Sequence, residues 1–317
     1  MEWWKWGIIA LIGIAVGVGI GFLTTSPSYS PRYIPPKTAS SWIPIPPEPH
    51  FAPLHRATAP IFPPSSTSKQ TISSTPTPSP PSKPLGKLVI VMDDMAFKWE
   101  AKALHSLHLR ITPSFFPPTP RHPNTPQLAA TFPVYMVHLP LESRGFKYAE
   151  QGTLPTSAPF SAILRRIGEL KRLFPKARYF NNHTGSTFTA NLPAMERLFR
   201  ALKFYNLGFL DSRTTPATKS YYANLKYNIP LLSRNIFLDN RLSHSYMWRQ
   251  LKKAVKLARE RGIAILICHP YRATFRFLKG VERWLPTQVK VVYITSPAVT
   301  SLASRWRENT PHLALSR

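Results

Sequence analysis

The chain has 317 residues, 41 Lys and Arg against 14 Asp and Glu, a formal net charge of +27 and a single cysteine, Cys268. One cysteine excludes an internal disulfide framework. The positive excess favours polyanionic partners such as nucleic acid, anionic lipid headgroups or acidic envelope polymers. A general lean towards basic proteins would give the same excess, so charge alone marks no anion site.

Residues 7–23, GIIALIGIAVGVGIGFL, form an uncharged apolar run at the short end of what spans a bilayer. Trp3, Trp4 and Trp6 precede it, where indole rings sit at headgroup level. No A-x-A-like cleavage site follows, only Thr24-Thr25-Ser26-Pro27, so residues 1–25 read as an uncleaved single-pass anchor. Glu2 opposes Lys5, and Arg32 and Lys37 follow the span, so charge sets the orientation only weakly. Gly13, Gly17 and Gly21 line one face of such a helix. Close backbone approach there would support a weak homodimer, although glycine is also common in membrane spans generally.

Residues 26–84 carry 17 of the 35 prolines among Ser and Thr, with Glu48 as the one acid. Such a segment cannot bury enough apolar surface to offset its ordering entropy, and it reads as a disordered, extended linker. Its Arg32, Lys37, Arg56, Lys69 and Lys83 are opposed only by Glu48, so +23 of the charge remains on residues 85–317, the single expected folded domain.

From Lys87 onward short apolar runs alternate with helical patterns, which predicts a mainly parallel α/β sheet with helices packed around it. The expected strands are Lys87–Met92, Ile111–Phe116, Val134–Leu139, Tyr179–Asn181, Gly208–Leu210, Ile236–Leu238, Ile263–Ile267 and Val289–Ile294. Three helices are predicted. In 159–174, Ile163, Leu164, Ile167 and Leu170 follow the 3.6-residue period before Pro175. In 192–205, Asn191 is the expected cap. In 244–261, Leu251, Ala254, Val255 and Ala258 alternate with a basic face, and Gly262 ends the pattern.

Chemistry in parallel α/β sheets gathers at the carboxyl ends of the strands. Asp93-Asp94, His138, Asn181-Asn182-His183, Asp211-Ser212-Arg213, Asp239 and His269 all fall there, in a domain otherwise short of acids. Adjacent carboxylates repel unless a cation or shared proton relieves them; one can then bind metal while the other serves as a base. A helix cap would use the same pair. His138 and Glu142, four residues apart, are ligand types for zinc or a similar ion. Asp211 and Arg213 read as an ion pair, either at the surface or positioning substrate. Cys268 and His269 point to opposite faces of a strand and cannot act as a thiol-imidazole pair. No G-x-S-x-G elbow supports a serine hydrolase.

IVMDDM, VHLPLE, NNHTGS, FLDSRT, IFLDN and ICHP, in this order and spacing across 87–296, resemble the divergent polysaccharide deacetylases. The resemblance implies an irregular (β/α) barrel, a divalent-metal site with zinc as the expected ion, and a polysaccharide or glycan substrate. It implies Asp93 as base, Asp94, His138 and His183 as ligands and His269 as general acid. Glu142 stands where the second histidine of the usual pair would fall. The expectation is a metal-dependent deacetylase anchored in the bacterial inner membrane, with its domain in the periplasm or cell envelope. A non-catalytic protein binding glycan or an assembly partner through the same cleft is the alternative. No nucleic-acid motif accompanies the charge.

Overall fold

The structure is a computed structural model that describes residues 85–145 and 149–305. The expected anchor (1–25) and linker (26–84) lie outside these residues, and none of the described helices is long and apolar enough to cross a membrane.

The described strands are β1 (Lys87–Met95), β2 (Ile111–Phe115), β3 (Met136–Leu141), β4 (Tyr179–Thr184), β5 (Gly208–Asp211), β6 (Leu231–Ser233), β7 (Ile236–Phe237), β8 (Ile263–Cys268) and β9 (Lys290–Val291). Between and after them come α1 (Lys98–His105), α2 (Thr125–Ala130), α3 (Phe160–Leu173), α4 (Ser186–Ala190), α5 (Leu192–Phe204), α6 (Ser220–Tyr227), α7 (His244–Arg261), α8 (Arg272–Val281), α9 (Leu285–Gln288) and α10 (Pro297–Arg305). The strands are ordered β6-β5-β4-β3-β2-β1-β8-β7, with β9 on β1, and the ladders between them are parallel. The two edge strands, β6 and β7, are separated in sequence by only Arg234 and Asn235. That short step curls the sheet back towards itself as a parallel half-barrel with helices around it.

The three expected helices form for the expected reasons. Ile163, Ile167 and Leu170 of α3 are fully buried on one face. Asn191 accepts the Ala194 N–H at 2.9 Å to cap α5. Ser243 caps α7, and Gly262 with φ 83° ends it. The expected strand at 289–294 is a correction, because only Lys290 and Val291 join the sheet. Beyond them the Ile294 N–H donates to Thr112 Oγ1 at 3.2 Å, and Ile294 packs inside the barrel rather than extending a ladder.

Alternation along the strands sorts the core into two clusters. Leu88, Ile90, Met92, Val137, Leu139, Phe180, Phe209 and Leu266 meet the helices. Val89, Val91, Met136, Tyr179, Leu210, Ile265 and Ile267 fill the interior with Val292, Ile294 and Val299. Two residues further along the interior columns stand Asp93, His138, Asn181, Ser212 and His269. The period that packs the barrel therefore also brings its polar groups to one end.

Gly208 makes room in that interior. It pairs in register with Tyr179, and an added Cβ would lie 2.5 Å from Tyr179 Cε1 and 2.8 Å from the Pro230 carbonyl oxygen. Gly208→Ala is expected to cost about 1–3 kcal/mol, the usual cost of overpacking. An unchanged midpoint in urea would show that the Tyr179 ring yields freely.

Candidate metal centre

In a regular strand Asp93 and Asp94 would face opposite ways. The β1–β2 register instead slips between Met92 and Met95, and Asp94 is left-handed at φ 58°, a conformation that Asp tolerates better than most residues. Both carboxylates consequently face His138: Asp93 Oδ1 is 3.7 Å from Nδ1 and Asp94 Oδ1 3.0 Å from Nε2. On β4 a second irregularity follows, with Thr184 at φ 51° and Gly185 at φ 85°. A left-handed threonine is strained. It is held by its hydroxyl on the Leu141 carbonyl at 3.0 Å and by Asn182 Nδ2 and Thr214 Oγ1, which donate to its own carbonyl. The turn leaves His183 Nδ1 3.0 Å from Asp94 Oδ1 and 3.2 Å from His138 Nε2.

Hydrogen bonding fixes the His138 tautomer. Asn181 Nδ2 donates to the Asp93 carboxylate at 2.8 Å, which only accepts, so Asn181 Oδ1 faces Ser114 Oγ at 2.6 Å and His138 Nδ1 at 3.0 Å. His138 Nδ1 therefore carries a proton and donates it. In the neutral ring Nε2 then presents a lone pair to the Asp94 carboxylate, a contact that needs a cation between the two or a second proton on the ring. One carboxylate oxygen and two imidazole nitrogens, all within 4.8 Å of one another, fit a divalent ion with bonds of about 2.0–2.2 Å. Asn181 behind His138 is the kind of partner that orients a ligand ring.

The electrostatics divide the two aspartates. Burial would raise the Asp94 carboxyl, but His183 and His138 hold it well below the usual carboxylate range. Asp93 is 2% exposed, and burial, aided by the neighbouring Asp94, lifts it against the pull of His138 and His269. Burial would lower His138, yet Asp93 and Asp94 raise it. The arrangement thus holds an ionised carboxylate at Asp94 beside a more basic one at Asp93.

Across the site His269 follows β8. Its Nδ1–H donates to Asp239 Oδ1 at 2.9 Å, while Asp239 Oδ2 accepts the His269 backbone N–H at 2.7 Å and the Thr274 hydroxyl at 2.8 Å. Burial works to lower the imidazole, but Asp239 overcomes it and the pKa stands at about 9. His269 is therefore protonated at neutral pH, with its ring held by a buried carboxylate.

The remaining expected residues lie apart from this group. Glu142 does not join the metal donors: its carboxylate accepts the Thr156 N–H and hydroxyl and braces the segment after Leu154. Asp211 and Arg213 form no ion pair among the described residues. Asp211 instead accepts the Arg213 backbone N–H at 2.7 Å and the Thr218 hydroxyl at 2.7 Å, closing the turn into α6. Arg234 secures the same turn by donating to the Ser212 and Arg213 carbonyls. Three residues not given roles from sequence matter here. Asn181 lies within NNHTGS, Asp239 within IFLDN, and Phe116 sets its ring 5.3 Å from His138 and 4.7 Å from His183.

A family described as divergent polysaccharide deacetylase matches residues 90–297, a span from β1 through His269. The chain is 31% identical over 214 residues to the uncharacterized protein YibQ of Escherichia coli K12, covering 67% of each. It is 29% identical over 208 residues to an uncharacterized protein of Haemophilus influenzae, covering 65% of this chain and 74% of that one. Its fold is similar to the crystal structure of an uncharacterized protein from Agrobacterium tumefaciens C58, with a TM-score of 0.59 at 20% identity, covering 70% of this chain and 90% of the other. The chain belongs to the divergent polysaccharide deacetylase family.

Proposed function

We propose that this domain is a metal-dependent hydrolase that removes acetyl groups from an envelope polysaccharide. The observation that carries the reading is the Asp94–His138–His183 donor group, with buried Asp93 on one side and the His269–Asp239 pair on the other. Asp94, His138 and His183 would hold the cation, with zinc the expected species. A divalent ion there supplies Lewis-acid polarisation of the acetyl carbonyl.

The chain's own groups do the rest. Asp93 accepts the proton of the attacking water; its raised pKa makes it a stronger base than a free carboxylate, and Asn181 fixes one of its oxygens. His269 donates its Nε2 proton to the departing nitrogen or oxygen, while Asp239 holds the ring. The water oxygen joins the acetyl carbon as the C–N or C–O bond breaks, giving acetate and a free amine or hydroxyl. An anchor over 1–25 and a spacer over 26–84 would tether this activity to the envelope face of the inner membrane.

Metal analysis of the purified protein, followed by an acetate-release screen on envelope glycans, tests the reading. Release of acetate that stops with a chelator and returns with metal is expected; metal binding with no acetate from any glycan would leave a binding protein. The alkaline limb of kcat/KM is expected near pH 9, where His269 loses its proton. Asp239→Asn removes the largest of the anionic influences that raise His269, leaving burial opposed only by the weaker pull of Asp94 and Asp93, so the limb moves to lower pH. A limb that stays in place would take the acid role away from His269.

A further inference from the structure

We propose that the base of the half-barrel, the end opposite the metal donors, is a docking face that seats the domain on an anionic lipid bilayer. This goes beyond the hydrolase reading and uses none of its residues.

In a parallel sheet each helix returns the chain from the carboxyl end of one strand to the amino end of the next, so strand starts and helix ends share one face. Hydrogen bonds join that face into a continuous surface. The Lys290 N–H donates to the Gly86 carbonyl, the Gly208 N–H to the Arg178 carbonyl and the Phe209 N–H to the Pro230 carbonyl, each at 2.9 Å. Arg259 Nε donates to the Gln288 carbonyl at 3.0 Å. Charge divides between the two ends of the barrel. Asp93, Asp94, Asp211 and Asp239 stand at the carboxyl ends of strands. At or just before the strand starts come Lys87, Arg110, Lys176, Arg178 and Lys290. None of these five forms an ion pair among the described residues. Helix ends add the exposed Arg172, Lys203, Arg259 and Arg261. The acids nearest them are already matched, Glu169 by Arg166 at 3.0 Å, Glu260 by Lys256 at 3.7 Å and Glu282 by Lys279 at 2.7 Å. A helix dipole favours cations in a last turn, but it gives no reason for the five at the strand starts.

Apolar side chains project through this basic field. Leu85 before β1, Leu173 and Phe204 at the ends of α3 and α5, and Leu225 in the last turn of α6 are all exposed, Phe204 by 70%. Lys87, Arg110 and Lys290 also line a groove of about 510 Å³ together with Leu85, Leu109 and Pro286. The headgroup layer of an anionic bilayer accepts both kinds of group, cations at the phosphates and apolar tips at the acyl boundary. A polyanion dissolved in water would attract the cations and leave the apolar tips unused. The chain enters the domain on this face through Leu85, downstream of the apolar run 7–23. A domain seated on its base turns the metal donors away from the lipid, towards the rest of the envelope.

Hydrogen exchange of the full chain on vesicles of phosphatidylcholine alone, and of a three-to-one mixture with phosphatidylglycerol, tests this. Amides in 106–110, 175–178 and 286–290 are expected to exchange more slowly on the anionic vesicles, those in 212–219 to be unchanged, and high salt to erase the difference. Because both lipids meet the same chain, insertion of 7–23 cancels from the comparison. Arg172→Glu, Arg178→Glu and Lys290→Glu together should erase the difference too, since each cation at such a surface is worth about fivefold in affinity. Phe204→Ser should reduce it. Lys98→Glu, Arg121→Glu and Arg241→Glu, the same change of charge at exposed positions away from the base, should leave it intact. Thermal midpoints identify a set that unfolds, and Gln at the same three positions then replaces Glu. Equal exchange on the two lipids, or equal loss of protection from either set, overturns the proposal. So does equal protection of the base by double-stranded DNA in solution with Phe204→Ser without effect. A chain that leaves neutral vesicles yet is protected on anionic ones would support the docking face and defeat the anchor reading alone.

Discussion

Asp93→Asn is expected to lower turnover by about 10²–10⁴-fold, the typical contribution of a positioned base, while leaving fold and metal content intact. The amide still accepts the Asn181 hydrogen bond that the carboxylate now receives, but it cannot take a proton from water. Its effect on stability has a definite sign. Burial raises the Asp93 carboxyl in the fold, so the unfolded chain ionises at lower pH and the folded state is penalised as pH rises above the unfolded value. Removing the charge relieves that penalty. The metal-free Asn variant should therefore melt at or above the parent at neutral pH even as its activity falls. A variant that keeps wild-type kcat, measured with wild-type metal content, would remove Asp93 from the chemistry.

Much of the site was legible because one period governs both the core and the polar end of the barrel. Val89, Val91 and Asp93 share a column, as do Tyr179 and Asn181, and Ile265, Ile267 and His269. What alternation cannot show is where it fails. Nothing in the Asp93-Asp94 dipeptide marks the left-handed bulge that turns both carboxylates to one side. Glu142 was read as a ligand from its spacing from His138 and from its place where the second histidine of the family's usual pair would fall, and its carboxylate instead accepts the Thr156 N–H and hydroxyl. β3 carries the chain past the donors to Leu141, and the next carboxylate serves a turn that is bridged through Leu154. Asp211 and Arg213 are two apart, which suits a side-chain-to-backbone turn better than an ion pair. Asp239 was visible as a strand-end acid, but its partner lies 30 residues on and is joined to it only by the pairing of β7 with β8. The run at 289–294 shows the complementary limit: hydrophobicity reports burial, and burial inside a barrel does not require a ladder.

Asp94→Ala is expected to lose metal and activity together, and by more than the about 10–100-fold in affinity that follows loss of a residue behind a ligand. Two imidazoles remain, with His138 Nε2 and His183 Nδ1 3.2 Å apart and no carboxylate to neutralise the ion. The stability change runs opposite to that at Asp93. His183 and His138 hold the folded Asp94 carboxyl well below the usual range against burial. Its contribution is therefore present above the unfolded pKa and is lost as pH falls through the folded one. Metal-free Asp94→Ala should be less stable than the parent at neutral pH, with the difference closing in acid. The side chain is 32% exposed, so solvent screening keeps that difference below that of a fully buried pair. Neighbouring carboxylates should thus separate cleanly: one substitution abolishes turnover in a metal-bound, stable protein, and the other removes the metal and weakens the fold. Retention of parental metal content by Asp94→Ala, measured by elemental analysis after dialysis, would dissolve the donor group and leave the left-handed turn at Asp94 without the role assigned to it.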